Sequence, residues 1–306
     1  MKRRTFIGMA GGALAVTACG PKRFLSEWRG VLFGSEVGIT VAGLSGREDP
    51  DWSGYEKEMR RLEGILSLHD PASELAQLNR DGTLESPSRE LVDLARRALI
   101  LANWSRGAFD PTIQPYWTWL QGRLQAGQEP AEAECREQLA RVDFRKLRVE
   151  DDGIWFEAPG MGLTLNAMAQ GYVTDRVTEL LVADGVTDFL VNLGEFAARG
   201  RDGKGEPWRI PVRAGGADGK VIAEVVLEDE ALAVSSGAGH RMSATGKWTH
   251  LLSPENGTSP EAARTVAVTA PEAVIADGLA TACGLMAEAA GRKLVARYPG
   301  AKLVVI

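Results

Sequence analysis

Leu163-Thr164-Leu165-Asn166-Ala167-Met168-Ala169-Gln170-Gly171-Tyr172-Val173-Thr174-Asp175 runs from a short apolar piece straight into a helical pattern. Residues 162–165 read as a strand and 168–184 as a helix. Small residues at the junction leave backbone N–H groups accessible at a helix N-terminus, where the macrodipole favours a phosphate. No Gly-rich strand–turn–helix of the dinucleotide-binding kind occurs. Gly11-Gly12 lies in a leader segment and does not count.

Toward the N-terminus, apolar residues at helical spacing mark 55–66, with charge on the other face. Ser88-Arg89-Glu90-Leu91 opens a second helix, capped by Ser86 or Ser88, which runs to Ser105 and stops at Gly107. A third apolar-periodic stretch follows Pro111, and a more polar helix spans 130–142. Residues 31–44 alternate around Gly34, Gly38 and Gly43 and read as the first strand. Strand-like pieces begin at 147–149 and 154–157. They resume after the 168–184 helix at 189–193, 208–212, 221–227, 232–235 and 265–269. A helix from near Ala273 and a strand at 303–306 close the chain. Helices gathered early and strands late make this an α+β protein, not a doubly wound one.

The 306 residues are 44% hydrophobic and 25% charged, a globular balance that allows one domain or two lobes. A net charge of -6, with no Lys/Arg cluster in the body of the chain, argues against nucleic acid as a partner. No apolar run reaches the roughly 18 residues that span a bilayer. Residues 1–19 read as an export signal: Arg3-Arg4 followed by Phe6 resembles a twin-arginine signal, and Val16-Thr17-Ala18-Cys19 a lipobox that would lipidate Cys19. A buried N-terminal helix explains neither the paired arginines nor the small residues before Cys19. The chain is therefore expected to be exported to the periplasm and anchored at the membrane through Cys19. Residues 20–30 read as a tether and 31–306 as the functional domain. Cys135 and Cys283 show no metal spacing and no evident pairing, so a disulfide framework is not expected.

Chemistry concentrates in a few fragments. Asp277 and Thr281, in Ala276-Asp277-Gly278-Leu279-Ala280-Thr281, are four apart near the start of an apolar helix and share one face. A carboxylate beside a hydroxyl suits a hard cation such as magnesium. Equally, Asp277 could cap its helix and Thr281 pack. Gly107-Ala108-Phe109-Asp110-Pro111-Thr112 brings an aromatic and a carboxylate to a helix start. Ser235-Ser236-Gly237 follows a strand, and His250-Leu251-Leu252-Ser253-Pro254 sets one of three histidines at a strand end. Each alone is weak, because turns favour Gly, Asp, Pro and Ser for local reasons.

In this order the fragments resemble the ApbE-like FAD:protein FMN transferases from about Phe33 to Met286. The family's early segment appears as Ser67 to Leu75, closing at Asn79. Its Gly-x-Phe-Asp-x-Thr element is Gly107 to Thr112, its Gly-Tyr element Gln170 to Asp175, and its Asn-Leu-Gly strand end Asn192 to Gly194. Its His-x-Ile-Asp-Pro element is His250 to Pro254, with Gly257 following, and its Ala-Asp-x-x-x-Thr element Ala276 to Thr281.

The resemblance implies a T-fold-like, two-lobed catalytic domain with mixed sheets and packed helices. It implies transfer of FMN from FAD to a Thr or Ser hydroxyl of an acceptor protein, with magnesium. By resemblance the metal ligands are Asp277, Thr281 and the Ala167 carbonyl. Contacts to FAD fall on Phe33, His69, Ala108, Phe109, Asp110, Thr164, Gln170 and Leu252. His250 is the candidate base, with Asp277 second, although a structural hydrogen bond at a strand end would also account for His250. Departures from the family pattern are His69 for a Tyr, Gln170 for Lys or Glu, Thr164 and Ser253 for Asp, and Ala280 for a second acidic residue. Hydrolysis of FAD to FMN and AMP, or non-enzymatic storage of FAD by a lipoprotein, are the rival functions. The acceptor implied is a flavoprotein of a membrane electron-transfer system. Gln170 with twin-arginine export resembles the branch tied to nitrous-oxide reductase maturation.

Overall fold

The computed structural model describes residues 25–43, 49–215, 219–239, 241–243, 247–261 and 264–306. The segment expected to direct export, Cys19 and His240 lie outside these residues. The first elements, β1 (Leu25–Leu32) and β2 (Ser35–Ala42), pair from Leu25↔Ala42 to Leu32↔Ser35. Phe33 (φ 47°) and Gly34 (φ 77°) make the turn, both left-handed, as a two-residue hairpin loop requires. This corrects two expectations. Residues 25–30, read as tether, form most of β1, and 31–44 is a strand end, a turn and a second strand. β1 is an edge strand whose side chains are largely exposed or half-buried, so it carries little apolar period to read.

There follow α1 (Trp52–Leu66), α2 (Glu74–Asp81), β3 (Thr83–Glu85), α3 (Arg89–Trp104), α4 (Gln114–Gln125), α5 (Glu132–Leu139), β4 (Leu147–Val149) and β5 (Gly153–Phe156). Then come α6 (Ala169–Ala183), β6 (Phe189–Asn192), β7 (Phe196–Arg199), β8 (Trp208–Arg213), β9 (Val221–Leu227), β10 (Glu230–Ser236), β11 (Thr265–Ala270), α7 (Ala273–Gly284), α8 (Glu288–Val295) and β12 (Lys302–Val305). Ser88 is the cap of α3, its Oγ accepting from the Leu91 N–H at 3.3 Å.

Seven strands form one sheet in the order β1-β2-β6-β7-β10-β11-β12, beside the small sheets β3-β5-β4 and β8-β9. Every pairing among the described strands is antiparallel, where mixed sheets were expected; the α+β class holds. Alternation sends successive side chains to opposite faces. Phe189, Val191, Ala231, Ala233, Val266 and Val268 point into the main core, which α1, α3, α6 and α7 complete. Ala198, Leu232 and Ala267 point the other way, under Trp208, Ile210, Val212, Val225 and Leu227 of the β8-β9 hairpin. A third cluster joins Tyr116 and Leu120 of α4 to Cys135, Trp248 and Leu252. Cys135 and Cys283 sit in separate clusters, each as a buried thiol.

Residues 162–165 are not a strand. Leu163 and Leu165 are buried, so the alternation was real, but the pairing is made by a side chain. The Leu163 N–H donates to Asn79 Oδ1 at 2.6 Å, and Asn79 Nδ2 donates to the Leu163 carbonyl at 2.8 Å. One amide thus serves as a neighbouring strand for one residue. Asn79→Ala strands both backbone groups in a buried setting. It is expected to cost about 1–3 kcal/mol in urea unfolding; an unchanged midpoint would show that the clamp is dispensable.

Candidate active site

The start of α6 is built without a side-chain cap. The Thr164 N–H is held by the Pro111 carbonyl at 2.8 Å, and the Met168 and Ala169 N–H groups turn back to Leu165 O at 2.9 and 2.8 Å. The next intrahelical bond would run from the Gly171 N–H to the Ala167 carbonyl. Instead Gly171 donates to Asp277 Oδ2 of α7 at 3.2 Å. No backbone donor reaches the Ala167 carbonyl among the described residues, which leaves that oxygen unclaimed at the helix start.

α7 returns the contact. The carboxylate of Asp175, on α6, accepts from the Ala273 N–H at 2.6 Å and from the Val274 N–H at 2.9 Å. Each helix therefore uses a carboxylate of the other to satisfy N–H groups of its own first turn, where donors lack partners and the dipole favours negative charge. This disposes of the reading in which Asp277 caps its own helix. Asp277 is the fifth residue of α7 and points at α6; the capping belongs to Asp175. Only glycine permits the approach: a Cβ on Gly171 would lie 2.5 Å from the Ala273 carbonyl oxygen and 2.7 Å from Val274 Cα. Thr281, half-buried, follows one turn after Asp277 on the same face.

Charge is tightly confined here. Burial holds the Asp277 carboxyl well above the usual carboxylate range, against the Gly171 N–H and helped by the charge of Asp175. Asp175 is pushed up to about 7, again chiefly by burial. Glu195, between β6 and β7, is only 8% exposed, and burial followed by the charge of Asp277 pushes it up as well. Among the described residues no Lys, Arg or His pairs with Asp277 or Glu195. Buried carboxylates in that condition are stable as neutral acids or around a cation.

The other sequence candidates group around this centre to different degrees. Gln170 lies over the β6–β7 turn, its Nε2 donating to the Leu193 carbonyl at 3.2 Å. Ala108, Phe109 and Asp110 are tied to Thr164 through Pro111. The Asp110 carboxylate itself is occupied: it accepts from the Thr112 N–H and hydroxyl at 2.8 and 2.6 Å and from the Phe144 N–H at 3.0 Å. Burial pushes its carboxyl up despite these donors. Leu252 is buried against Tyr116 and Trp248. Its loop is braced by the Tyr116 hydroxyl, which donates to the Gly257 carbonyl at 2.9 Å, and by Gly257 N–H to Ser253 O at 2.7 Å. His250 is half-buried on that loop. Leu251 beside it reaches α7, lying 3.6 Å from where a Cβ of Gly284 would stand. Phe33 and His69 sit on the α1 side: the Phe33 N–H donates to Glu63 Oε1 at 2.7 Å and the His69 N–H to Ser67 Oγ at 3.1 Å. No described hydrogen bond ties either to α6 or α7.

With this geometry in place, comparison with known proteins decides the family: its model, the ApbE family, matches residues 33–305. The chain belongs to the ApbE family. A protein of Treponema pallidum (strain Nichols) named FAD:protein FMN transferase is 29% identical over 272 residues, 81% of this chain and 74% of that one. The crystal structure of Pseudomonas stutzeri flavinyl transferase ApbE, apo form, is similar at a TM-score of 0.75 and 25% identity, covering 93% of this chain and 92% of that one. The flavin transferase ApbE from Vibrio cholerae shares the fold, with a TM-score of 0.78 at 21% identity over 92% of this chain and 94% of that one.

Three residues that shape this region escaped the sequence reading. Glu195 stands directly after the quoted Asn192-Leu193-Gly194, and a carboxylate at a glycine turn between two strands was the available signal. Asp175 was quoted but not recognised as the cap of α7. Tyr116 gives no local sign, since its partner Gly257 is 141 positions away.

Two substitutions of the same kind separate close approach from ordinary helix propensity. Gly171→Ala forces α6 off α7 and is expected to cost at least about 1–3 kcal/mol by urea denaturation. Gly64→Ala in α1, with no atom within 4 Å of the new methyl, should stabilise by about 0.5–1 kcal/mol. Equal effects at both sites would contradict the packing argument.

Proposed function

We infer that this ApbE-family chain moves FMN from FAD to a Thr or Ser hydroxyl of an acceptor protein and releases AMP. The observation that carries the reading is the family match over 33–305, coinciding with an oxygen donor set at Asp277, Thr281 and the Ala167 carbonyl. Among the described residues no group of three or more His, Cys, Asp or Glu is placed to hold a metal. A carboxylate with a hydroxyl and a backbone carbonyl suits magnesium, an ion that usually keeps waters or substrate phosphates as its remaining ligands. The unclaimed Ala167 carbonyl and the buried, unpaired Asp277 fit that ion.

Bound there, the cation supplies charge neutralisation on the FAD pyrophosphate. The chain's own residues do the rest. The positive end of the α6 dipole favours a phosphate, although its N–H groups at Ala169, Gly171 and Tyr172 are already bonded within the chain. Thr164, Gln170 and the Ala108–Asp110 turn bound the nucleotide near that helix start, with Leu252 on the braced loop and Phe33 and His69 from the α1 side. The acceptor oxygen bonds to the FMN-side phosphorus, and the bond from that phosphorus to the bridging oxygen breaks. AMP leaves with the bridging oxygen, and the hydroxyl proton passes to an imidazole nitrogen of His250. General-base help of this kind contributes typically about 10²–10⁴-fold.

The N-terminal sequence supports export by a twin-arginine signal to the periplasm, with Cys19 lipidated as a membrane anchor. The acceptor then lies in a membrane electron-transfer system, and Gln170 favours one serving nitrous-oxide reductase maturation.

Incubation of the purified full-length chain with FAD, magnesium and an acceptor domain, followed by intact mass of the acceptor, tests the reading. A flavin adduct is expected, reduced about 10²-fold or more by Asp277→Asn, since a lost metal contact removes several kcal/mol of charge stabilisation. Free FMN and AMP without adduct would identify a hydrolase, and unchanged FAD a carrier; either result overturns transfer.

A further inference from the structure

Glu195 occupies the turn between β6 and β7, and that turn is held on two sides. The Leu193 N–H donates to the Glu195 carbonyl at 3.1 Å, closing the turn on itself. Above it lies the Gln170 amide, packed so closely over Gly194 (φ 109°) that a Cβ there would be 2.2 Å from Nε2. The pairing of β7 with β10 ends at Phe196↔Leu232, while β10 continues to Ser236. Glu195 therefore sits where β7 has left β10, and the charge of Asp277, on the α7 that lies across β10, adds to burial in raising its carboxyl.

Its Oε2 atom is fully buried and has no hydrogen-bond partner. Among the described residues no basic side chain forms an ion pair with it. A carboxylate oxygen left this way costs more than an apolar group of the same shape. Packing or turn formation alone gives no return for that oxygen. A divalent cation does, because hard cations take carboxylate oxygens and repay the burial of both acids at once. The start of α6 joins the two acids: the Gln170 amide packs over Gly194 beside Glu195, and the N–H of the next residue, Gly171, bonds Asp277.

We propose that Glu195 is the second carboxylate of the cation site, holding through Oε2 the same divalent ion as Asp277. This rests on the cation reading given under the proposed function and extends it to a residue in another element. α7 brings one acid, the β6–β7 turn the other, and Gln170 positions that turn from α6.

The test uses manganese(II) alone as the probe, with free ion counted by electron paramagnetic resonance, on the full-length chain. The unsubstituted chain should bind one ion, and Asp277→Asn should lose it. Glu195→Gln, which keeps shape and removes charge, should weaken binding about 10–100-fold while its thermal midpoint without metal stays level or rises. The manganese-induced rise of that midpoint should disappear. A structural role for Glu195 gives the opposite pattern, a lowered midpoint with an unchanged dissociation constant, and would overturn the proposal. If Glu195→Gln does not fold, Glu195→Asp decides in the same way, with weakened binding for and unchanged binding against. Loss of binding in Asp277→Asn but not in the Glu195 variants sinks this proposal alone. No binding by the unsubstituted chain sinks the cation reading with it.

Discussion

At Gly171 the backbone of α6 lies directly on that of α7, with no side chain between them, and the hydrogen bond from its N–H to Asp277 follows from that contact. Because the N–H is turned to Asp277, the Ala167 carbonyl loses the partner a regular helix would supply. Because Asp175 answers from α6, the Ala273 and Val274 N–H groups of α7 are satisfied without a side-chain cap of its own. The two helices lock by exchanging carboxylates, and the exchange leaves unclaimed oxygen atoms at the place where both helix dipoles are positive. The oxygen donors on which the proposed cation site rests are a consequence of the packing.

That arrangement needs a rigid support. Asp277 sits mid-helix on α7, which lies across β10 and β11, so its carboxylate is fixed by the sheet and not by a mobile loop. The looser parts of the site are braced singly from a distance: Asn79 holds the strand-like approach to α6, and Tyr116 holds the loop of His250 and Leu252. Burial of several acids without basic partners works against stability in the absence of a cation. The extensive two-faced core of the seven-stranded sheet offsets this cost.

Much of this architecture was legible because it is written in local period. α1, α3, α6 and α7, and the strands from β8 to β11, announce themselves by apolar spacing, and ordered motifs pointed to the family. What was illegible depends on partners far along the chain. β1 pairs through its backbone and shows no apolar alternation, so it passed for a tether. Residues 162–165 alternate like a strand but find a side-chain amide where a strand would be. Asp277 and Asp175 exchange capping duties between helices, which no reading of either helix alone reveals. Glu195 becomes notable only once α6 is laid over the β6–β7 turn.

The most direct measurement is an anomalous difference map from crystals of the chain grown with manganese(II) and FAD. The account predicts one strong peak between the Asp277 carboxylate, the Thr281 hydroxyl and the Ala167 carbonyl, against the pyrophosphate. A manganese peak elsewhere, or bound FAD with no ion at Asp277, would contradict it.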